Sequence, residues 1–149
     1  MEASDSSLEL LVRKWAASYD PPVATVATRT ETRRGPPSVE VNPINSEAAP
    51  VSLWVSDDGA HVSISVGRGL WFDEAVPLDE SPLKQLLESI AAGHVHEYVR
   101  KLFGRVVARR GTVGDPNSLH LTYGQLNPFA VIPGLRWESL GYKPYQARK

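Results

Sequence analysis

Cysteine is absent from this chain of 149 residues. Its absence excludes disulfide bonds, thiolate zinc sites, iron–sulfur clusters and cysteine nucleophiles. The sequence also lacks an uninterrupted apolar run of about 18 residues, the length at which a membrane-crossing helix is expected. Residues 1–5 lack the basic and apolar regions of a secretory signal, so we expect a cytoplasmic protein that does not contact a membrane.

The overall composition is that of an ordinary globular domain. Hydrophobic residues make up 42% of the chain and charged residues 22%, which indicates neither a disordered chain nor a membrane protein. A domain of this length buries roughly 68–70% of the surface that its unfolded chain exposes. We therefore expect one domain over residues 1–149, with a core that needs no covalent or metal cross-link.

The net charge of −1 conceals an uneven distribution of charge along the chain. Residues 1–93 contain 14 Asp and Glu against 7 Lys and Arg, a net charge of −7, whereas residues 94–149 contain 3 against 9, a net charge of +6. The negative charge is dispersed over turns and helix starts, but the positive charge is concentrated at residues 100–110. We therefore expect any polar recognition surface in that stretch.

Two segments have the apolar periodicity of amphipathic helices. The first presents one stripe, formed by Leu8, Leu11, Val12 and Trp15. Ser6 and Glu9 fit the capping-box pattern at its start. The second helix is predicted over residues 81–92, with Ser81 as its cap, and one of its faces is expected to pack on a sheet.

The chain between the two helices has the pattern of antiparallel strands. Alternation or β-branched residues mark four segments, at residues 23–32, 38–41, 51–55 and 62–66. Asp58-Gly59 lies between the last two and predicts a hairpin, because such turns require positive φ. A bend at residues 67–69 is expected before the next strand.

Residues 94–110 fit two different structures. Their apolar residues match a helical period, but Gly93, Gly104 and the frequent valines favour a hairpin that turns near Phe103-Gly104. Both alternatives stay open. A short strand is predicted at residues 118–123, and an irregular segment with several aromatic residues from about residue 127. The expected fold is a single α+β domain with an N-terminal helix, an antiparallel sheet of about five to seven strands, and the helix at residues 81–92 packed on one face of that sheet.

Histidines supply the one cluster of plausible metal ligands. On a strand, His94 and His96 share a face, and a third ligand is available from His61, His120 or an acidic residue. Solvent-facing histidines beside a helix end are the simpler interpretation. We therefore expect no cofactor and keep the metal site as the weaker alternative.

Signatures of catalysis are few. No serine lies in a Gly-x-Ser-x-Gly elbow, and Gly67-Arg68-Gly69 lacks the spacing of a phosphate-binding loop. Asp73 and Glu74 follow two aromatic residues, and a carboxylate beside buried aromatics can act as an acid. A solvated strand end is the simpler interpretation, so we assign no catalytic residue.

The basic stretch is the densest charge cluster in the sequence. Its five basic residues within eleven positions are Arg100, Lys101, Arg105, Arg109 and Arg110. Tyr98 and Phe103 lie among them and are expected either in the core or as stacking groups for nucleic-acid bases. The net charge and the lack of a recognised nucleic-acid motif weaken the nucleic-acid interpretation. A solvated face, an intramolecular partner of the acidic residues and a protein-binding surface are the other interpretations.

Tryptophans suggest where a partner would bind. Trp54 alternates with Leu53 and Val55, so it lies on the sheet face opposite to them. Exposed Trp, Tyr and Arg are enriched in the binding hot spots of protein interfaces. The candidate binding residues are Trp54, Trp71, Tyr98, Arg100, Lys101, Arg105 and Arg109. Trp137, Tyr142 and Tyr145 near the C-terminus either dock on the domain or remain free for a partner.

The sequence favours a non-catalytic protein-interaction module, comparable to immunity proteins and adaptors, whose partner is another protein. This comparison rests on size and composition and not on a site. The alternatives are a small metal-dependent enzyme that uses His94 and His96 with Asp73 or Glu74, and a nucleic-acid-binding domain that uses residues 100–110.

Overall fold

The computed structural model describes residues 2–30, 36–114, 121–126 and 136–146. Within these ranges the chain forms two helices and nine strands, α1 being Glu2–Ala17 and α2 Glu80–Ala91. The α+β class and both helices are confirmed, but the strands form two antiparallel sheets and not one. Neither of the two helices in the described ranges is long and apolar enough to cross a membrane.

The larger sheet, sheet 1, contains five strands that pair in sequence order. They are β1 (Ala24–Arg29), β2 (Ser38–Pro43), β3 (Val51–Val55), β4 (His61–Val66) and β5 (Leu70–Pro77). The predicted hairpin at Asp58-Gly59 connects β3 to β4, and the predicted bend at residues 67–69 connects β4 to β5. Strands β3, β4 and β5 are thus joined by short turns, whereas residues 44–50 connect β2 to β3.

The smaller sheet, sheet 2, has the strand order β8-β7-β6-β9. Its strands are β6 (Val95–Leu102), β7 (Arg105–Val113), β8 (Leu121–Leu126) and β9 (Glu138–Gly141). Of the strand predicted at residues 118–123, residues 118–120 lie outside the described ranges, and β8 contains the rest and continues to Leu126. The segment predicted as irregular contains β9, and residues 127–135 also lie outside those ranges.

Residues 94–110 form the hairpin and not the helix. Val95, Glu97 and Val99 are buried while His96 is exposed, which is the period of two that a strand requires. Gly104 adopts a φ of 78°, which an α-helix excludes. The apparent helical period arises because apolar residues of both hairpin strands happen to recur three and four positions apart.

Both predicted helix caps were misplaced. The first helix begins at Glu2, so Ser6 lies within it and cannot be the cap. The N-cap of α2 is Asp79 and not Ser81. Asp79 has the extended backbone that an N-cap needs, with φ −147° and ψ 151°, and its carboxylate accepts a hydrogen bond from the Glu80 amide at 2.8 Å.

The main core lies between the helices and one face of sheet 1. Its fully buried side chains include Leu8 and Val12 of α1, Leu53 and Ile64 of sheet 1, and Leu86 and Ile90 of α2. Sheet 2 joins this core through Val95 and Val113, and the rings of Phe72 and Tyr123 connect the two sheets with centroids 6.1 Å apart. Burying each large aliphatic side chain contributes about 1.5–3 kcal/mol.

The chain after β9 is docked as far as it is described. Tyr145 is buried, its hydroxyl donates to the Ala49 carbonyl at 2.7 Å, and its ring lies 6.4 Å from that of Trp15. The side-chain amide of Asn45 donates to the Pro144 carbonyl at 3.0 Å. Tyr142 also packs against the main core, and Trp137 packs against Val107 and Ala108 of β7, so of the two alternatives for the C-terminal aromatic residues docking holds.

Burial of Tyr145 makes stability sensitive to alkaline pH. Burial, with a smaller contribution from Tyr19, raises the pKa of the Tyr145 phenol above its usual value of 10.0. The folded state therefore keeps this phenol protonated at a pH where the unfolded chain ionises it. Its contribution to stability is complete below pH 10 and is lost above it, at a limiting rate of about 1.4 kcal/mol per pH unit.

The Tyr145→Phe variant tests this dependence. Losing the hydrogen bond to Ala49 should lower the free energy of unfolding by about 1 kcal/mol at pH 8. Between pH 10 and 11 the variant should lose less further stability than the parent protein, since it has no phenol to ionise. Urea unfolding followed by circular dichroism measures both effects, and equal alkaline losses would disprove the assignment to Tyr145.

Candidate functional site

The end of the β6–β7 hairpin is a two-stranded arm. Strand β9 pairs with β6 only from His96 to Val99, and β8 pairs with β7 only from Ala108 to Val113. Beyond these positions, neither hairpin strand has a third strand beside it among the residues described. We call residues 101–106 the hairpin tip.

Phe103 at the hairpin tip breaks two local rules. Phe103 is 97% exposed, although its side chain is aromatic and apolar. Leu102 pairs with Arg105, so Phe103 and Gly104 form a two-residue turn in which φ is 52° and 78°. Positive φ at both positions is the geometry that Asn-Gly suits best, and a bulky side chain there is strained by about 1–3 kcal/mol. Stability alone does not explain this phenylalanine.

Two of the five basic residues of the stretch belong to the hairpin tip. Arg105 follows the turn directly and is exposed. Lys101 is also exposed, and its ammonium group lies 3.6 Å from the carboxylate of Glu138. Val106, which is 42% exposed, adds apolar surface beside them. The tip therefore combines an aromatic side chain with a basic border.

Two other basic residues, Arg100 and Arg110, pack against aromatic rings of sheet 2. The Arg100 guanidinium carbon lies 4.6 Å from the ring centre of Trp137. That of Arg110 lies 4.3 Å from the same ring and 5.4 Å from Tyr98. These are cation–π distances, so the predicted residues Tyr98 and Arg100 belong to one intramolecular cluster on the sheet surface.

Arg109 points into the protein and binds Glu97, a carboxylate with no exposed surface. The guanidinium donates to one carboxylate oxygen of Glu97. The other oxygen accepts from the Tyr142 hydroxyl at 2.6 Å and from the Arg68 amide at 3.2 Å. Burial, together with the hydrogen bond to Glu97, raises the pKa of Tyr142. This network joins sheet 2 to the β4–β5 turn and to the chain after β9.

Trp54 and Trp71 lie together on the outer face of sheet 1. Their cross-strand partners are Ser63 and Ser65 on β4, and the two ring centres are 6.0 Å apart at an angle of 61°. Trp71 is 57% exposed. The alternation in β3 thus predicted the face of Trp54, but its contact with Trp71 depends on the pairing of β4 and β5.

A bulge in β5 places two carboxylates beside this tryptophan pair. Residues 73–75 lie opposite the single residue Ser63, and Glu74 has a φ of 47°. The Ser63 hydroxyl is buried, donates to Asp73 at 2.8 Å and accepts from the Glu74 amide at 3.1 Å. Because the bulge absorbs the extra residues, Phe72 and Val76 both reach the core while Asp73 and Glu74 are exposed.

The histidines within the described ranges do not form a metal centre. His94 and His96 are exposed at the start of β6, and His61 contacts Asp58 at 2.6 Å in the β3–β4 turn. His120 lies outside the described ranges. In the part of the chain that the structure describes, no group of three or more His, Cys, Asp or Glu side chains could hold a metal ion.

Sequence reasoning missed the exposure of Phe103 and the roles of Glu97, Trp137 and Tyr142. For Phe103 a signal was present, because Phe-Gly occupies the predicted two-residue turn and a turn residue is exposed. For Glu97 the signal was a carboxylate in the apolar register of an alternating strand. No protein-family model, curated protein or solved structure significantly matches this chain.

Proposed function

We propose that this protein is a non-catalytic protein-interaction module that binds its partner through the hairpin tip. The observation that carries the proposal is Phe103, which is 97% exposed and held at positive φ by a two-residue turn. A strained, solvent-exposed aromatic side chain lowers the stability of the free protein. Such departures from local preference concentrate at functional sites.

The chemistry of the tip suits an interface. Aromatic side chains and arginine are enriched where proteins bind each other, and an anchoring residue that enters a partner's pocket provides a large share of the affinity. Phe103 is positioned as such an anchor, with Lys101 and Arg105 as the charged border. Charges at a border mainly accelerate association and select the partner, and these two favour an acidic surface.

The two alternatives lack comparable support. The basic residues do not converge on one surface, because Arg109 is engaged with buried Glu97 while Arg100 stacks on Trp137. That separation weakens a nucleic-acid interface built on the whole basic stretch. The metal-dependent enzyme would need its carboxylates and histidines at one site. Asp73 and Glu74, however, lie in sheet 1, whereas His94 and His96 lie at the start of a strand of sheet 2.

Phe103→Asn separates binding from folding. Asparagine tolerates positive φ and forms the preferred Asn-Gly turn, so we expect the free energy of unfolding to rise by about 1 kcal/mol. The same variant removes the aromatic anchor and should abolish partner recovery. Urea unfolding measures the first effect, and affinity purification from the native cell followed by mass spectrometry measures the second.

Leu10→Gln is the matched control. Leu10 is 70% exposed on α1, so this change also removes an exposed apolar side chain but leaves the hairpin intact. It should leave partner recovery unchanged. If Phe103→Asn recovers the same proteins as the parent, the hairpin tip is not the binding surface. If the parent itself recovers no specific protein, the proposed function is wrong.

A further inference from the structure

The outer face of sheet 1 carries a second surface, with charge opposite to that of the hairpin tip. We infer that this surface, formed by Trp54, Trp71, Asp73 and Glu74, binds a basic segment of a partner protein, of which an arginine or lysine side chain stacks on the exposed indole ring of Trp71. We call it the Trp54–Trp71 surface. It shares no residue with the hairpin tip and is a binding site beyond the proposed function.

The aromatic geometry suits a cation. The ring planes of Trp54 and Trp71 are inclined by 61° with their centres 6.0 Å apart, so the two rings make an edge-to-face contact that holds them in place. The face of an indole ring carries negative electrostatic potential, and a guanidinium or ammonium group within about 6 Å of the ring centre is attracted to it. Trp71 is 57% exposed whereas Trp54 is only partly exposed, so the Trp71 ring is the one that a ligand reaches.

The charged side chains next to the rings in the sequence of β5, Asp73 and Glu74, are both negative. Asp73 lies two residues after Trp71 on the same strand face, and the Ser63 hydroxyl fixes its carboxylate at 2.8 Å. Within the described ranges, neither Asp73 nor Glu74 takes part in an ion pair. By contrast, Arg29 and Glu40 on the same face neutralise each other at 3.1 Å. The surface is therefore complementary to a cationic ligand.

A second copy of this chain is the competing occupant, because the hairpin tip also combines an aromatic residue with basic side chains. That contact would join two different surfaces of identical molecules in a head-to-tail arrangement. Unless the rotation between copies closes a ring, such contacts propagate into open chains. A basic segment of another protein occupies the surface without this consequence.

Binding of fluorescein-labelled hexa-arginine tests the inference, with fluorescence anisotropy for affinity and tryptophan fluorescence for location. We expect hexa-arginine to bind and to change the tryptophan emission. Trp71→Leu keeps an apolar side chain but removes the ring, and should weaken binding about two- to fivefold. Trp71→Phe retains a ring and should preserve most of the affinity. Hexa-lysine should bind less tightly than hexa-arginine, because the planar guanidinium stacks better.

Two substitutions at carboxylates distinguish a site from diffuse attraction. Asp73→Asn removes a charge beside the rings but keeps an acceptor for Ser63, and should weaken binding. Glu88→Gln removes an equal charge from the solvent-facing side of α2, which packs on the other face of sheet 1, and should not weaken binding. Equal losses from both variants, or no binding by the parent, would overturn the inference.

Sedimentation of the parent protein without peptide decides the competing occupant. Self-association that Trp71→Leu abolishes would assign the surface to a second copy and refute the inference. Phe103→Asn should leave hexa-arginine binding unchanged, because that residue belongs to the hairpin tip. The proposed function and this inference therefore fail in different experiments.

Discussion

Replacing Arg109 by methionine should lower the free energy of unfolding by about 3–5 kcal/mol. The carboxylate of Glu97 has no exposed surface, and the substitution removes its counter-ion. Desolvation of an unpaired carboxylate is among the largest penalties that a single substitution causes. Domains of this size have total stabilities of about 5–15 kcal/mol, so the variant should lose a large share of its stability. Urea titration followed by far-ultraviolet circular dichroism measures the change.

The double variant Glu97→Gln, Arg109→Met provides the control. Glutamine is neutral, and its side-chain oxygen can still accept hydrogen bonds from Tyr142 and from the Arg68 amide. If the loss arises from an unpaired charge, the double variant should be more stable than Arg109→Met alone, because the two residues are directly coupled. If the loss in the double variant equals the sum of the losses in Glu97→Gln and Arg109→Met alone, the methionine acts through packing and not through the unpaired carboxylate.

The position of Glu97 in its strand could be predicted from the sequence, but its partners could not. Alternation places Glu97 on the same face as Val95 and Val99, and a charge in an apolar register needs a counter-ion. Arg109 is its natural partner once the hairpin is accepted, since the two strands of a hairpin are adjacent. Arg68 and Tyr142 lie 29 and 45 residues away along the chain. Contacts of that separation depend on how the two sheets pack, which local periodicity does not specify.

The same limit explains why one sheet was predicted where two exist. Alternation in β1 to β5 identifies the buried face of each strand, and the short turns after β3 and β4 identify that β3, β4 and β5 pair in order. Helix α2 interrupts the strands after β5, and nothing in the local pattern says whether β6 continues sheet 1 or starts another sheet. The return of β9 to pair with β6 likewise spans more than 30 residues of sequence.

The candidate surfaces were only partly predictable for a related reason. The position of the turn at Phe103-Gly104 follows from glycine and from valine frequency, and the turn exposes Phe103. The basic stretch looked like one cluster because its residues are close in sequence. Side chains alternate along a strand, so Arg109 of β7 points inward and Arg110 points outward. Basic residues that are neighbours in sequence therefore lie on opposite faces of sheet 2.

Gly111→Ala should lower the free energy of unfolding by about 3 kcal/mol, because the close packing of sheet 2 against Leu70 leaves no room for a methyl group. Gly111 lies in β7 opposite Glu97. A β-carbon at this position would meet the His96 carbonyl oxygen, and would lie 2.5 Å from a methyl carbon of Leu70. Relief requires movement of backbone in β6 as well as of a fully buried leucine.

Gly124→Ala is the matched comparison on the neighbouring strand. Gly124 is exposed in β8, pairs with Arg110, and a β-carbon there has nothing within 4 Å. Alanine should therefore be neutral or should stabilise the strand by up to about 1 kcal/mol, because it reduces the freedom of the unfolded chain. Urea unfolding of both variants compares them directly. Equal effects would mean that β7 has room for a methyl group at position 111. A difference of several kcal/mol would show that the close approach of β6 and Leu70 requires glycine there.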